Sequence, residues 1–269
     1  MEPPKIDDRI ITSHELREIL KEKPRNTIFS TKMPYLDKLI GGFAEGDFIV
    51  VGGAPKSGKS TLLMTWTHRL TEQKIPCLWF QIELPYQEFL DRFGTALPVF
   101  NVPRVLNVPT LTWIESKIDE AIKKYGTKVV FIDHLGMLAD EGMYKYRNSV
   151  DIFDSRLQQL KRMAVRKSVC IIGVNPLIQA TLRKKSTEMD TADFRGTAMI
   201  GYYADTLIGL ERLMGRSRTN VAQDMDDTEL LISTEMYIYI MDSRRTGCRK
   251  MKIKCQLTED GQIEEVLGL

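Results

Sequence analysis

Cysteine is scarce. The 269 residues hold four, Cys77, Cys170, Cys248 and Cys255, with no CxxC pair among them. That excludes a disulfide framework or a cysteine-rich zinc module as the organising principle. Cys77 and Cys170 fall in apolar, strand-like runs that suit buried, reduced thiols. Cys248 and Cys255 flank a basic strand with no histidine or third cysteine near them, too few ligands for zinc. Long hydrophobic runs are missing too. No apolar stretch reaches the roughly 18 residues of a membrane-crossing helix, and the first residues, Met1 to Arg9, are polar where a signal peptide is apolar. The expectation is a cytoplasmic protein with no membrane partner. Nor does charge of one sign dominate: 38 Lys and Arg stand against 36 Asp and Glu, a net +2. A nucleic-acid partner therefore has to be argued from local clusters. There is no internal repeat and no low-complexity tract.

What is present is an alternation of apolar strands and amphipathic helices, at an ordinary 43% hydrophobic and 28% charged content. Residues 1–29 read as a tail with a short linker helix near Ser13–Leu20. Ser13 is its N-cap, and Leu16, Ile19 and Leu20 share one face. This helix packs on its own domain by default, or on a neighbouring subunit. Residues 30–269 read as one α/β domain. Strands are expected at Phe48–Val51, Cys77–Ile82, Val129–Ile132, Ser168–Val174, Asp205–Glu211, Glu235–Met241 and Lys250–Leu257. Helices are expected near Lys59–Glu72, Tyr86–Ala96, Leu111–Tyr125 and Asp151–Lys167. This pattern implies a mainly parallel central sheet with helices on both faces, closed by a C-terminal antiparallel hairpin.

The strongest signal is Gly53-Ala54-Pro55-Lys56-Ser57-Gly58-Lys59-Ser60, a match to G-x-x-x-x-G-K-[ST] between a buried strand and a helix. Glycines let backbone N–H groups wrap phosphates, and the helix N-terminus adds positive potential. Lys59 is placed for the β and γ phosphates, Ser60 for Mg²⁺, and Thr61 for the nucleotide; ATP and Mg²⁺ are the implied cofactors. Val129–Ile132 ends in Asp133, a carboxylate at the C-terminus of a strand, suited to the Mg²⁺ shell beside such a loop. Glu83 ends another strand. Its spacing equally suits a capping or surface glutamate and a carboxylate that polarises the attacking water.

Several segments together resemble the motor domain of DnaB-type replicative helicases, a RecA-like P-loop fold. Thr31 to Phe43 is similar to the segment preceding the P-loop in that family and in the RadA/KaiC group. Ile82-Glu83-Leu84-Pro85 resembles its glutamate motif. Asp193-Phe194-Arg195-Gly196-Thr197-Ala198-Met199-Ile200, followed by Tyr203-Ala204-Asp205, is similar to its fourth motif. Asp242-Ser243-Arg244-Arg245-Thr246-Gly247 resembles the hairpin that carries its arginine finger. The likeness runs from about Ser30 to Gly261, and the Glu-Leu-Pro and Asp-Phe-Arg-Gly elements favour DnaB over RadA/KaiC.

The resemblance implies a homohexameric ring around single-stranded DNA that unwinds duplex during replication, with primase, loader or polymerase as further partners. It implies Glu83 as the catalytic carboxylate and Arg245, with Arg244 second, as the finger a neighbouring subunit supplies. It also implies a location in the cytoplasm, or in a host's if the chain is phage-encoded. Departures stand beside it. Where relatives place a polar sensor, often glutamine, this chain reads Asn175-Pro176-Leu177, which makes Asn175 the candidate. Ser243 takes the place of a lysine before the finger. His134, after Asp133, is expected to be supporting or structural. The N-terminal domain of bacterial replicative helicases is absent, so a compact phage or plasmid-type relative, or an excised motor, is expected. The alternatives are a RadA/KaiC-like oligomeric ATPase without unwinding activity, and a nucleotide-gated assembly or loading partner.

Two basic segments beside these motifs suit loops facing a ring channel. Met143 to Asn148 carries Lys145 and Arg147. Thr181 to Ser186 carries Arg183, Lys184 and Lys185, and continues to Arg195, Gly196 and Thr197. Lysine and arginine neutralise phosphates, and Gly196 admits close backbone approach. With no recognition helix or zinc finger, binding is expected to ignore base sequence and to weaken with salt. The polar stretch Met214–Asp227 reads as an insertion.

Overall fold

The computed structural model describes residues 9–22, 27–94, 96–105, 108–139, 149–176, 199–214 and 232–266. In chain order the elements are α1 (Ser13–Glu22), β1 (Ile28–Phe29), α2 (Pro34–Ile40), β2 (Phe43–Ala44), β3 (Phe48–Gly53), α3 (Lys59–Glu72), β4 (Cys77–Gln81), α4 (Tyr86–Asp91), α5 (Leu111–Tyr125), β5 (Val129–Asp133), a 3₁₀ turn (Leu135–Met137), α6 (Ser149–Lys167), β6 (Cys170–Pro176), α7 (Ile200–Tyr203), β7 (Thr206–Met214), β8 (Ile232–Ser243), β9 (Arg249–Leu257) and β10 (Ile263–Glu265). Eight strands form one sheet in the order β10-β9-β8-β7-β3-β6-β5-β4. From β7 to β4 the strands are parallel; β8, β9 and β10 run antiparallel at the other side. The expected mixed sheet and terminal hairpin are present.

Period-two alternation sorts the core into two layers. On β3, Ile49 and Val51 face the layer of α3, with Leu62, Trp66 and Leu70. Phe48 and Val50 face the layer of α5 and α6, with Ile118, Leu157 and Leu160. Trp79 of β4 stacks on Phe131 of β5 at 4.8 Å, and its indole N–H donates to Thr67 Oγ1 at 2.9 Å, which satisfies the one polar atom of a buried ring. Cys77 and Cys170 are buried free thiols, as expected; burial pushes the Cys77 thiol up to about 12.

Some boundaries differ from the sequence reading. The helix expected to reach Ala96 ends at Asp91, and Gly94 then turns at φ +69°. The expected strands at 205–211 and 235–241 extend to Met214 and over Ile232–Ser243 by pairing with each other. The cap of α1 is Thr12, not Ser13. Thr12 Oγ1 accepts from Glu15 N–H at 3.2 Å, while the Glu15 carboxylate accepts from Thr12 N–H at 2.8 Å, a reciprocal capping box. The default of α1 packing on its own domain is also corrected. Leu16, Ile19 and Leu20 are 46%, 42% and 53% exposed, so its apolar face is open to solvent. No helix among the described residues is long and apolar enough to cross a membrane.

Candidate nucleotide site

The phosphate loop joins β3, the strand at the middle of the sheet, to α3. Its shape depends on bare backbone. A Cβ at Gly53 would lie 2.4 Å from Ser57 Oγ and 2.8 Å from the Leu210 carbonyl, and Gly58 caps α3 at φ +98°. Lys56 turns the loop at φ +63°. The first turn of α3 carries no carboxylate and no side chain caps it, so its positive end keeps its potential for an anion.

Lys59 starts α3, and its Nζ donates to the carbonyls of Gly53 at 3.0 Å and Ala54 at 2.7 Å. Burial holds its pKa below the ordinary lysine range, while the charges of Asp133 and Glu83 oppose that shift. Ser60, next on the helix, donates from Oγ to Asp133 Oδ2 at 2.7 Å. Asp133, at the end of β5, is 1% exposed. Burial pushes its carboxyl up. The Ser60 hydrogen bond pulls it down, the Glu83 charge pushes it up, and His134 and Lys59 pull it down.

Asp133 Oδ1 is buried with no hydrogen-bond partner. A carboxylate oxygen so placed, beside a serine hydroxyl, fits a hard divalent cation such as Mg²⁺. The expected pair Ser60 and Asp133 is therefore brought together, from residues far apart in the chain.

Glu83 stands just past β4, exposed, on the same cleft as Lys59, Ser60 and Asp133, which encloses about 510 Å³. Its backbone N–H donates to Gln81 Oε1 at 3.0 Å, and Gln81 lies opposite Asp133 in the β4–β5 register. Gln81 thus fixes where the glutamate leaves the sheet. Arg92, His134 and Arg212 also line the cleft. Of these, sequence reasoning singles out only His134, as a supporting residue; Gln81, Arg92 and Arg212 carry no motif that marks them. Asn175 is buried on β6 beside Gly52, with its Nδ2 3.4 Å from the Pro176 carbonyl; it is Pro176 that reaches the cleft wall.

The β8–β9 hairpin lies at the other end of the sheet. Ser243 is opposite Thr206, which is beside Ile49, whereas the phosphate loop leaves β3 beyond Gly53 and Leu210. At about 3.3 Å per residue the two ends are roughly 15 Å apart or more. Arg245 therefore does not reach the cleft of its own protomer. Its Nη2 pairs with Asp47 at 2.5 Å, and Arg244 donates to the carbonyls of Gly201, at 3.2 Å, and Tyr202. Ser243 is fully buried and accepts from Thr246 Oγ1 at 3.2 Å, so it is part of the turn's framework. The basic candidates Lys145, Arg147, Arg183, Lys184, Lys185, Arg195, Gly196 and Thr197 lie outside the described residues.

Comparison with known proteins agrees with this geometry. The model of the AAA domain family matches residues 17–175. A curated relative, the replicative DNA helicase DnaB of Treponema pallidum (strain Nichols), is 23% identical over 227 residues, covering 71% of this chain. The chain spans about half of that relative's length, 50%. Among solved structures, a DnaB-like replicative helicase described with its interactions with primase superposes at a TM-score of 0.72 and 14% identity, over 96% of this chain and 67% of the other. The ATPase domain of a phage helicase also superposes at 0.72, with 15% identity, over 94% of this chain and 96% of its own. At those identities the likeness establishes the fold.

Proposed function

Because the chain belongs to the AAA domain family, we propose that it is an ATP-hydrolysing, ring-forming DNA helicase motor of the DnaB type. The observation that carries this reading is the convergence of Lys59, Ser60, Asp133 and Glu83 on one cleft at the C-terminal ends of the parallel strands. Lys59 and the loop N–H groups hold the phosphates. Ser60 and Asp133 hold Mg²⁺, which when bound supplies positive charge to the phosphate oxygens. Glu83 accepts a proton from water as the water oxygen bonds to the γ phosphorus. The bond from that phosphorus to the bridging oxygen breaks, leaving ADP and phosphate. Arg245 of a neighbouring copy stabilises the charge on the phosphoryl group in transfer. The position of Arg245 at the far end of its own sheet supports action between subunits and hence a ring, with six subunits as in the family it resembles. Asn175 serves as the sensor that relays nucleotide state along β6. The basic segments, which follow β5 and β6 in the chain, hold single-stranded DNA. A primase, loader or polymerase is the class of partner such a motor serves.

The test is steady-state ATP hydrolysis with and without single-stranded DNA at two salt concentrations. Stimulation that fades with salt is expected, since phosphate contacts release counterions. Turnover indifferent to DNA would favour the RadA/KaiC-like ATPase instead. A second reading, nucleotide-gated assembly with little turnover, is favoured by one feature. Ser243 is buried and uncharged where relatives carry a lysine, so only arginine remains to complete the site. No turnover under either condition, with nucleotide-dependent oligomers, would select it.

A further inference from the structure

Arg245 is held at both tips of its guanidinium within its own protomer. Nη2 donates to Asp47 Oδ2 at 2.5 Å and Nη1 to the Gly41 carbonyl at 3.4 Å. The side chain lies over the bare Cα of Gly41, where a Cβ would stand 2.7 Å from Arg245 Cδ. It lines a recess of about 570 Å³ with Asp47, Gly46 and Lys161, at the opposite end of the sheet from the nucleotide cleft. Asp47 is itself fixed: its Oδ2 accepts from Ala44 N–H at 2.9 Å and its carbonyl from Ile171 N–H at 2.8 Å. It immediately precedes β3, the strand that delivers the phosphate loop.

We propose that Asp47 is a positioning residue that parks Arg245 away from the subunit interface until a nucleotide phosphate on the neighbouring copy takes its place. This rests on the reading of Arg245 as the finger. A guanidinium fork engaged by a carboxylate and a carbonyl cannot also clasp a phosphoryl group. Exchange is nevertheless easy, because one anion replaces another and the pair is only partly buried, at 28% and 13% exposure. The finger thus engages chiefly where a neighbour presents a loaded site. Because Asp47 leads into β3, the parking place of one site is built on the strand that carries the next.

The experiment compares DNA-independent ATP hydrolysis by the full chain in wild type, Asp47→Asn, Asp47→Glu, Arg245→Ala and the Asp47→Asn/Arg245→Ala double variant. Asp47→Asn keeps an oxygen for Ala44 N–H but loses the charge that holds the arginine. Its kcat is expected to rise about three- to tenfold, the release of a weak ion pair, with KM for ATP unchanged. Asp47→Glu returns toward wild type, and the double variant falls to the rate of Arg245→Ala. A rate equal to or below wild type in folded Asp47→Asn, or a gain that survives Arg245→Ala, overturns the proposal. Full turnover in Arg245→Ala alone would instead overturn the finger reading. If Asp47→Asn does not fold, phenylglyoxal labelling of dilute, nucleotide-free wild type decides. Arg245 should react several-fold more slowly than Arg249 of the same hairpin, and equal rates overturn the parking contact.

Discussion

Lys59 and Asp133 show what a nucleotide cleft costs at the scale of single residues. Both are charged groups in a buried setting, and burial shifts each toward its neutral form. For Asp133 the folded pKa is raised, so the native state binds the proton more tightly than the unfolded chain. Its contribution to stability is present at acid pH and is lost as pH rises through the folded pKa. Asp133→Asn, which keeps an acceptor for Ser60, should therefore raise the melting midpoint at neutral pH. About 2–4 °C is expected, the size of a ~1 kcal/mol change in a domain of this length. The gain should shrink as pH falls toward the ordinary carboxylate range, and hydrolysis should be lost at every pH. A melting series on both proteins checks the sign: a gain that grows toward acid pH would contradict it. Lys59→Ala should lower hydrolysis at least ~100-fold, because a charge aimed at the transferring phosphate is removed. Glu83→Gln should bind ATP with near-normal affinity yet lose hydrolysis by a similar factor. Phosphate release and nucleotide binding, measured side by side, separate the two roles.

At the scale of elements, the turn from β3 into α3 tolerates no added atom. Gly53→Ala would force its Cβ against Ser57 Oγ and the Leu210 carbonyl, at 2.4 and 2.8 Å. It should cost about 1–3 kcal/mol of overpacking and weaken ATP binding, read by chemical denaturation and nucleotide titration. Removal of residues 1–22 should change the stability of the rest by less than about 0.5 kcal/mol, since the apolar face of α1 is open and surface changes of this kind are near neutral. The contrast explains what was legible in the sequence. The loop, the strands around it and Asp133 could be read because phosphate binding demands a fixed spacing and buried parallel strands demand continuous apolar runs. The exposed face of α1 could not, because an apolar stripe does not name what covers it. Gln81, Arg92 and Arg212 were invisible for another reason: they enter the cleft through strand register and helix direction. The same holds for Asp47, which meets Arg245 across 198 residues of chain. The C-terminal strands ran past their expected ends because pairing between β7 and β8 overrides weak local propensity.

At the scale of the whole molecule, the sheet keeps two chemistries apart. The phosphate loop leaves one end of β3, and the hairpin with Arg245 folds at the other. If hydrolysis needs both, each site must be built from two copies arranged head to tail, the kind of contact that closes into a ring. Mixing two inactive proteins tests this directly. Lys59→Ala has no working phosphate loop but an intact arginine; Arg245→Ala has the reverse. A site acting within one chain stays dead in any mixture, since neither protein has both halves. A site shared between neighbours revives wherever an Arg245→Ala cleft meets a Lys59→Ala hairpin, which in equal random mixing is about a quarter of the interfaces of a closed ring. Recovered hydrolysis should therefore peak near equal proportions and vanish for either protein alone. A flat zero across the mixing series, with mixed oligomers confirmed by native mass, would mean that the arginine at the far end of the sheet is not the missing half of the site.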